Sequence, residues 1–234
     1  MVSLNSDVKY STKSYGSDPD QIWERYSPAL ASGKATLLLI HGGYWRPIFD
    51  REHFRDLAVS LANTGYEVVL AEYRRISGDP DSTLSDIGSI LKSLDGEKLL
   101  LIGYSAGGQL ALLTAPNYSH VKGIIGLAPV TDLLRTEELG LGENAVRVWL
   151  NDSAANFPHL DPRMVSVPHV PIRFIHGTTD DRVPIELSET YCAEKKESGA
   201  DISLMKLEGL GHFELMDPSS VAFPALIQTI NSVA

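Results

Sequence analysis

Short apolar runs alternate with segments of helical period along most of this chain, and this alternation limits the possible folds. Several of the runs are apolar on both faces, as strands buried in a parallel sheet must be. Between them, apolar residues recur at helical spacing, for example Leu57, Ala58 and Leu61. The pattern predicts an α/β fold with a mostly parallel central sheet, helices on both faces and right-handed crossovers. The six predicted strands span residues 36–42, 66–73, 98–105, 121–130, 171–177 and 201–207.

Two segments depart from this alternation. Residues 20–29, DQIWERYSPA, precede the first parallel strand and predict an antiparallel edge strand. Residues 131–170 show no clear strand, only a short helix in NAVRVWL and a proline-punctuated loop. Because a connection of that length is usually functional or disordered, we expect a small cap over a site. No linker divides the chain, which predicts a single domain over residues 1–234.

Composition and charge exclude several kinds of partner. The chain carries 30 acidic and 20 basic residues, a net charge of -10, and no basic run of the kind that nucleic acid requires. Its single cysteine, Cys192, leaves no internal disulfide or cysteine-based metal cluster, which fits a reducing compartment. The first 20 residues contain no apolar leader, and later apolar runs fall short of the roughly 20 residues that cross a bilayer. We therefore expect a cytoplasmic protein without a membrane partner; the sequence does not decide whether it forms a homodimer.

One serine lies among small residues in LLLIGYSAGGQLALL, residues 99–113. GYSAG matches the pattern GxSxG between a strand and a helix, the context in which this motif presents a nucleophile on a sharp turn. Gly103 and Gly107 leave room for that turn, and Gly108 lets the helix approach the sheet. Small residues also suit a turn that serves packing alone. The strand before and the helix after favour Ser105 as a nucleophile.

A serine nucleophile needs a base, which an acid must orient, and in this architecture the chain order is serine, acid, histidine. His212 follows the last predicted strand in a glycine-rich loop, so we predict that it is the base rather than an exposed histidine without a role. His176 is predicted to pack at a strand end. Surface or cap positions are predicted for His53, His120, His159 and His169.

Two adjacent aspartates follow the strand at residues 171–177, and both cannot face one imidazole. The spacing in GTTDDRVP favours Asp180 as the acid, with Asp181 solvated or capping a turn. Asp132, which follows the GLAPV segment, is the remaining alternative.

The developing charge on an attacked carbonyl oxygen requires N–H donors that already face it. The amide of Ala106 is one predicted donor because Ala106 directly follows the serine. The other donors are predicted to come from HGGYW, residues 41–45, after the first parallel strand. A plain strand-end turn is the alternative for this loop, but its presence beside GxSxG favours an oxyanion hole.

These motifs resemble the α/β-hydrolase superfamily over nearly the whole chain. HGGYWR, EYRR and GYSAGG are similar, more narrowly, to the kynurenine formamidase (arylformamidase) group and its bacterial esterase relatives, whose oxyanion loop is HGGxW. Hormone-sensitive-lipase-like esterases carry HGGG, so Tyr44 replaces their third glycine. The resemblance implies that Ser105 is the nucleophile, Asp180 the acid and His212 the base. It also implies that the amides of Gly43, Tyr44 and Ala106 are the oxyanion donors. Trp45 is implied to brace the loop or to line the pocket.

Aromatic residues near the motifs indicate a compact pocket for a small aromatic substrate rather than a long acyl chain. Tyr44 and Trp45 are predicted to line it, and Trp149 and Phe157 from the cap are either pocket or core residues.

The predicted activity is two-step acyl transfer on a small amide or ester, and it needs no metal or organic cofactor. The alternatives are a carboxylesterase of broad small-ester scope and a non-catalytic protein that binds a small ligand. Arg46 and Arg74 are either contacts for a substrate carboxylate or ion-paired surface residues.

Overall fold

The fold is built on an eight-stranded sheet. The computed structural model describes residues 8–30 and 33–233, and within them the strand order is β1-β2-β4-β3-β5-β6-β7-β8. Strands three to eight run parallel, and the second strand is antiparallel to both of its neighbours. The strands are β1 (Lys9–Ser14), β2 (Ile22–Ser27), β3 (Thr36–Ile40), β4 (Val68–Ala71), β5 (Leu99–Tyr104), β6 (Val121–Leu127), β7 (Ile172–Gly177) and β8 (Ile202–Leu207).

Helices cover both faces of this sheet, as the sequence predicted. The helices are α1 (Arg55–Asn63), α2 (Pro80–Ser93), α3 (Ala106–Thr114), α4 (Leu133–Glu138), α5 (Leu141–Leu150), α6 (Ile185–Glu197) and α7 (Ala222–Val233). Alternate side chains of β3 point to opposite faces, so Leu37 packs with α1 and α7 whereas Leu38 packs with α2, α3 and α6. The helices on the two faces exclude water from a sheet that is apolar on both sides. The predicted α/β-hydrolase fold class is therefore confirmed.

The six predicted parallel strands are confirmed, but the predicted edge strand is not at the edge. β2 is antiparallel as expected, yet β1 pairs along its outer side. Every residue of β1, KYSTKS, is exposed, so this strand lacks the alternation of apolar residues that marks a strand in sequence. In the described part of the chain no helix is long and apolar enough to span a bilayer. Two predictions, that of a single domain and that of no apolar leader, include residues 1–7, which lie outside the described residues.

The segment from residue 131 to 170 forms a cap without a strand. The helix predicted in NAVRVWL is the last part of α5, whereas α4 was not anticipated. Trp149 and Leu150 of α5 belong to a third buried cluster with Ala106 of α3. Several hydrogen bonds tie the cap to the sheet layers. For example, Gly78 N–H donates to the Trp149 carbonyl and Gln109 Nε2 donates to the Leu160 carbonyl, both at 2.8 Å. The cap is therefore packed firmly onto the sheet layers.

A buried carboxylate follows β4 and lies behind the loop at residues 41–45. Glu72 is fully buried and accepts hydrogen bonds from His41 Nε2 at 3.1 Å, from the Arg51 backbone N–H at 2.9 Å and from Arg75. Tyr73 stacks on the His41 ring and donates its hydroxyl to the His41 carbonyl at 2.6 Å. Burial raises the pKa of Glu72, but the His41 hydrogen bond and the Arg75 charge outweigh it and hold that pKa well below its usual range. The ionised carboxylate thus fixes the start of the loop.

We expect Glu72→Gln to lower the free energy of unfolding by about 3 kcal/mol at pH 7, because it removes the fully buried charge that pairs with Arg75 and Arg51. Because folding lowers the pKa of Glu72, its ionisation stabilises the folded protein above the unfolded pKa of 4.5, and this stabilisation is lost as the pH falls through the folded pKa. When the free energy of unfolding is measured in urea, its difference between wild type and Glu72→Gln should become smaller from pH 7 to pH 3. Glu52→Gln is the control, since the Glu52 side chain is 60% exposed and, within residues 8–30 and 33–233, pairs only with Arg55. Equal stability of the two variants would contradict the role given to Glu72.

Candidate active site

Ser105 occupies the turn between β5 and α3 with φ 54° and ψ −120°, a conformation that a non-glycine residue rarely adopts. Hydrogen bonds hold the turn on both sides of the residue. The Ser105 N–H donates to the Leu127 carbonyl at 2.9 Å, and the Ser105 carbonyl accepts from the N–H groups of Gly108 and Val130 at 3.0 Å. The strained turn places Ser105 at the carboxyl edge of the parallel sheet.

Two glycines let the backbone after β3 lie directly against this turn. A Cβ atom on Gly107 would lie 2.1 Å from the carbonyl oxygen of Ile40. A Cβ atom on Gly42 would lie 2.8 Å from the Cβ of Ser105 and 2.9 Å from the Tyr104 carbonyl oxygen. Both contacts are too short for any side chain, so glycine at these positions brings the HGG loop and the serine together.

His212 and Asp180 form a close pair at the same edge of the sheet. The distance from His212 Nδ1 to Asp180 Oδ2 is 2.6 Å, and the Asp180 side chain is fully buried. The other carboxylate oxygen accepts from the backbone N–H groups of Arg182 at 2.9 Å and Val183 at 2.8 Å. Burial raises the pKa of Asp180, but hydrogen bonds from His176 and His212 outweigh burial and hold this pKa well below its usual range. Asp180 therefore stays ionised at neutral pH.

His176 was expected to pack at a strand end, and it is buried there at the end of β7. Its Nε2 lies 2.9 Å from the Val183 carbonyl and 3.3 Å from Asp180 Oδ2, and its Nδ1 lies 2.8 Å from the Ser188 hydroxyl. Because Nε2 faces two acceptors it carries a proton, and Nδ1 then accepts from the hydroxyl. Sequence reasoning missed this second contact with Asp180, although the two residues are only four positions apart.

Asp181 and Asp132, the two alternative candidates for the acid, make other contacts. Asp181 is 75% exposed and pairs with Arg182 Nε at 3.4 Å. Asp132 caps α4 by accepting from the Arg135 N–H at 2.8 Å, and it pairs with Arg163 at 2.5 Å. In the part of the chain that the structure describes, neither side chain contacts a histidine.

Three consecutive residues after Gly42 have positive φ angles: Gly43 at 113°, Tyr44 at 51° and Trp45 at 54°. Such angles in two non-glycine residues store strain. Among residues 8–30 and 33–233, no group accepts a hydrogen bond from the N–H of Gly43 or Tyr44. The N–H of Ala106, the first residue of α3, has no partner within its helix. The three amides predicted as oxyanion donors thus have no hydrogen-bond partner among the described residues.

Trp45 is 2% exposed and does not line the cavity beside Ser105. Its ring stacks on Trp149 with 4.5 Å between centroids, and its Nε1 donates to Gln109 Oε1 at 3.1 Å. Trp45 therefore lies in the core beside the loop rather than in the cavity wall, a position that fits the alternative implied by the resemblance, that it braces the loop. Trp149 is a core residue, and Phe157 packs against the same cluster.

Ser105 and His212 line one cavity of about 370 Å³, near the lower end of the roughly 300–1,000 Å³ typical of small-molecule sites. No hydrogen bond joins the Ser105 hydroxyl to His212 in the described residues. Burial lowers the pKa of His53 in this wall to about 4, so its imidazole is neutral at neutral pH. The cavity is lined by Gly43, Tyr44, Arg46, Phe49, His53, Tyr104, Ser105, Gly142, Glu143, Arg182, His212, Phe213 and Met216.

Sequence reasoning found Ser105, His212, Gly43 and Tyr44 of this wall but missed most of the remainder. The missed residues include Phe49 and Arg182 in connecting segments, Tyr104 at the end of β5, and Gly142 and Glu143 in the left-handed first part of α5. His53, assigned to the surface or the cap, is one of them.

Arg46 and Arg74, the two candidate contacts for a substrate carboxylate, have different surroundings. Arg74 binds both oxygens of Asp86 at 2.8 Å and does not line the cavity, so it is an ion-paired residue. Arg46 lines the cavity together with Ser105.

Comparisons with known proteins agree with this architecture. A crystal structure of esterase B from Lactobacillus rhamnosis, inhibited by a tributyrin phosphonate, superposes with a TM-score of 0.83 at 22% identity, covering 97% of this chain and 85% of that one. A probable isoprenylcysteine alpha-carbonyl methylesterase from Oryza sativa subsp. japonica is 24% identical over 94% of this chain and 62% of its own length. Ethanol acetyltransferase 1 from Eremothecium cymbalariae is 32% identical over 40% of this chain and 28% of its own length. The chain thus spans less than two thirds of either of these two relatives.

The sequence model of the prolyl oligopeptidase family matches residues 90–222. That range covers more than half of the chain and includes Ser105, Asp180 and His212. The chain therefore belongs to the prolyl oligopeptidase family, within the α/β-hydrolase superfamily.

Proposed function

We propose that this protein is a serine hydrolase that cleaves small esters through an acyl-enzyme. One observation carries the proposal: His212, held by Asp180 at 2.6 Å, lines the same cavity as Ser105 and as Gly43 and Tyr44, whose N–H groups have no partner among the described residues. A cavity that only binds a ligand requires neither a strained serine nor a buried carboxylate–histidine pair.

In the proposed reaction the Ser105 hydroxyl oxygen attacks the ester carbonyl carbon while His212 Nε2 takes the hydroxyl proton. Asp180, bound at Nδ1, fixes the tautomer that leaves Nε2 free to accept and stabilises the resulting imidazolium. The amides of Gly43, Tyr44 and Ala106 donate to the oxyanion. The carbon–oxygen bond to the alcohol then breaks, and the alcohol leaves with the proton from His212. Water repeats the sequence on the acyl-serine and releases the acid.

Among the described residues the Ser105 hydroxyl and His212 form no hydrogen bond, which is compatible with this route because hydrogen bonds in unliganded sites often tighten only when substrate binds. The similar proteins support ester chemistry, since they include an esterase inhibited by a tributyrin phosphonate and a probable methylesterase. The small volume of the cavity favours a short acyl group.

An aryl formamide is the second candidate substrate, as the resemblance to the kynurenine formamidase group implies. The observation that favours it is the aromatic wall of the cavity, to which Tyr44, Phe49, Tyr104 and Phe213 contribute. Aromatic rings pack well against one another in offset or edge-to-face arrangements. The same nucleophile, base and oxyanion donors would cleave the formamide.

Ser105→Ala should lower kcat for p-nitrophenyl butyrate by about 10⁴-fold or more, because the acyl-enzyme cannot form. A fluorophosphonate probe should label wild type at Ser105 and leave the variant unlabelled, with unchanged circular dichroism. Lack of labelling in a folded, wild-type protein would favour the non-catalytic binding protein instead.

Asp180→Asn should lower kcat by roughly 10³–10⁴-fold, because the amide no longer holds His212 in the productive tautomer. Asp181→Asn is the matched control, and its exposed side chain predicts less than a twofold change. Steady-state rates with one ester measure both variants. Equal losses, or a larger loss for Asp181→Asn, would be inconsistent with Asp180 as the acid.

The ratio of kcat/KM for p-nitrophenyl acetate to that for N-formylkynurenine separates the two substrate classes. We expect the ester to be the better substrate, because p-nitrophenolate departs more readily than an aromatic amine, which must be protonated as it leaves, and because the cavity suits a short acyl chain. A preference for the formamide would reverse the order of the two candidates.

A further inference from the structure

Arg46 presents unused hydrogen-bond donors to the cavity. Its Nη2 donates to the Gly142 carbonyl and pairs with Glu143 Oε2 at 3.0 Å. In the described part of the chain its Nε and Nη1 form no hydrogen bond, and the side chain is 27% exposed. A guanidinium has five N–H donors in a planar fork, so most of this group remains available for a ligand.

The partner of Arg46 is poorly anchored. The Glu143 side chain is 87% exposed, and an exposed ion pair of this kind contributes little free energy. Glu143 also belongs to a left-handed stretch with φ angles of 57° at Gly142, 57° at Glu143 and 60° at Asn144, which is costly for the two non-glycine residues. A competing carboxylate can therefore displace the Glu143 side chain from Arg46 at small cost.

Other charged groups near the cavity are less suited to bind a substrate anion. The Asp180 carboxylate is buried against His212 and His176. Arg182 also lines the cavity, but its side chain is 54% exposed against 27% for Arg46, so water competes more strongly for its donors. The chain as a whole carries a net charge of -10 and repels anions, so a half-buried guanidinium with unbonded N–H groups in the cavity wall is a local exception.

We propose that Arg46 determines specificity by binding a carboxylate of the substrate, so that the preferred substrates are small esters or amides that carry a free carboxylate. The planar fork of arginine binds the two oxygens of a carboxylate in parallel, which a lysine cannot do. Glu143 occupies one donor of Arg46 until the substrate carboxylate replaces it. This inference rests on the proposed ester hydrolysis at Ser105.

Two pairs of esters test the inference and locate the carboxylate. Mono-p-nitrophenyl succinate and p-nitrophenyl butyrate differ by a carboxylate on the acyl part, and 4-carboxyphenyl butyrate and phenyl butyrate differ by one on the leaving group. For each pair, the ratio of kcat/KM for the anionic ester to that for the neutral ester is measured. Arg46→Gln should lower one of these ratios by about tenfold or more, because charge-assisted hydrogen bonds are lost.

Arg135→Gln is the matched control. Arg135 lies in the cap, is exposed, pairs with Glu138 at 2.9 Å and does not line the cavity, so its loss changes net charge equally. Its ratios should stay within twofold of wild type. An equal fall in both variants would indicate only a long-range field and would overturn the inference.

Glu143→Gln supplies an independent test, because its exposed side chain can be replaced without disturbing the core. It should raise the same ratio by about twofold to fivefold, since the internal competitor is gone. Unchanged ratios in both Arg46→Gln and Glu143→Gln, with neutral esters still hydrolysed by wild type, would overturn the inference and leave the proposed function standing. Absence of hydrolysis of every ester by wild type would instead overturn the proposed function.

Discussion

The site depends on the close approach of two backbone segments at the carboxyl edge of the sheet. The backbone after β3 lies against the turn after β5, and no side chain fits at Gly42 or Gly107 between them. Because β3 and β5 are paired neighbours in the sheet, the approach is a direct result of strand order. The loop amides and Ser105 are held beside each other by this contact, and the cavity forms around it.

Buried charge maintains that arrangement from two sides. Glu72 fixes His41 at the start of the loop, and Asp180 fixes His212 across the cavity, each through several hydrogen bonds to an ionised carboxylate. Transfer of a carboxylate into the interior is costly, so such groups contribute less to stability than well-packed apolar side chains of equal volume. Their main contribution here is geometric. A charged acceptor with several fixed donors defines one orientation of each imidazole.

The sequence predicted the parallel strands, the helices around them and the positions of Ser105, Asp180 and His212, because local patterns encode these features. Apolar runs mark buried strands, and GxSxG marks a strand–turn–helix. β1 could not be predicted, since it is held by pairing with β2 and has no apolar face. The position of Trp45 in the core could not be predicted, because the burial of its ring depends on Trp149, which is distant in sequence. Most of the cavity wall was also missed, because the paths of irregular segments depend on tertiary packing.

The stack of Trp45 on Trp149 joins the loop at residues 41–45 to the cap. Gln109 extends the connection, since it binds Trp45 through its oxygen and the Leu160 carbonyl through its nitrogen. The cap is therefore part of the support of the loop rather than a separable cover. Replacement of the cap by that of another hydrolase would remove the surface on which Trp45 rests, so transplanted caps would have to supply an equivalent flat ring. Changes of substrate range by cap exchange are thus restricted in this protein to segments that leave the two tryptophans and Gln109 in place.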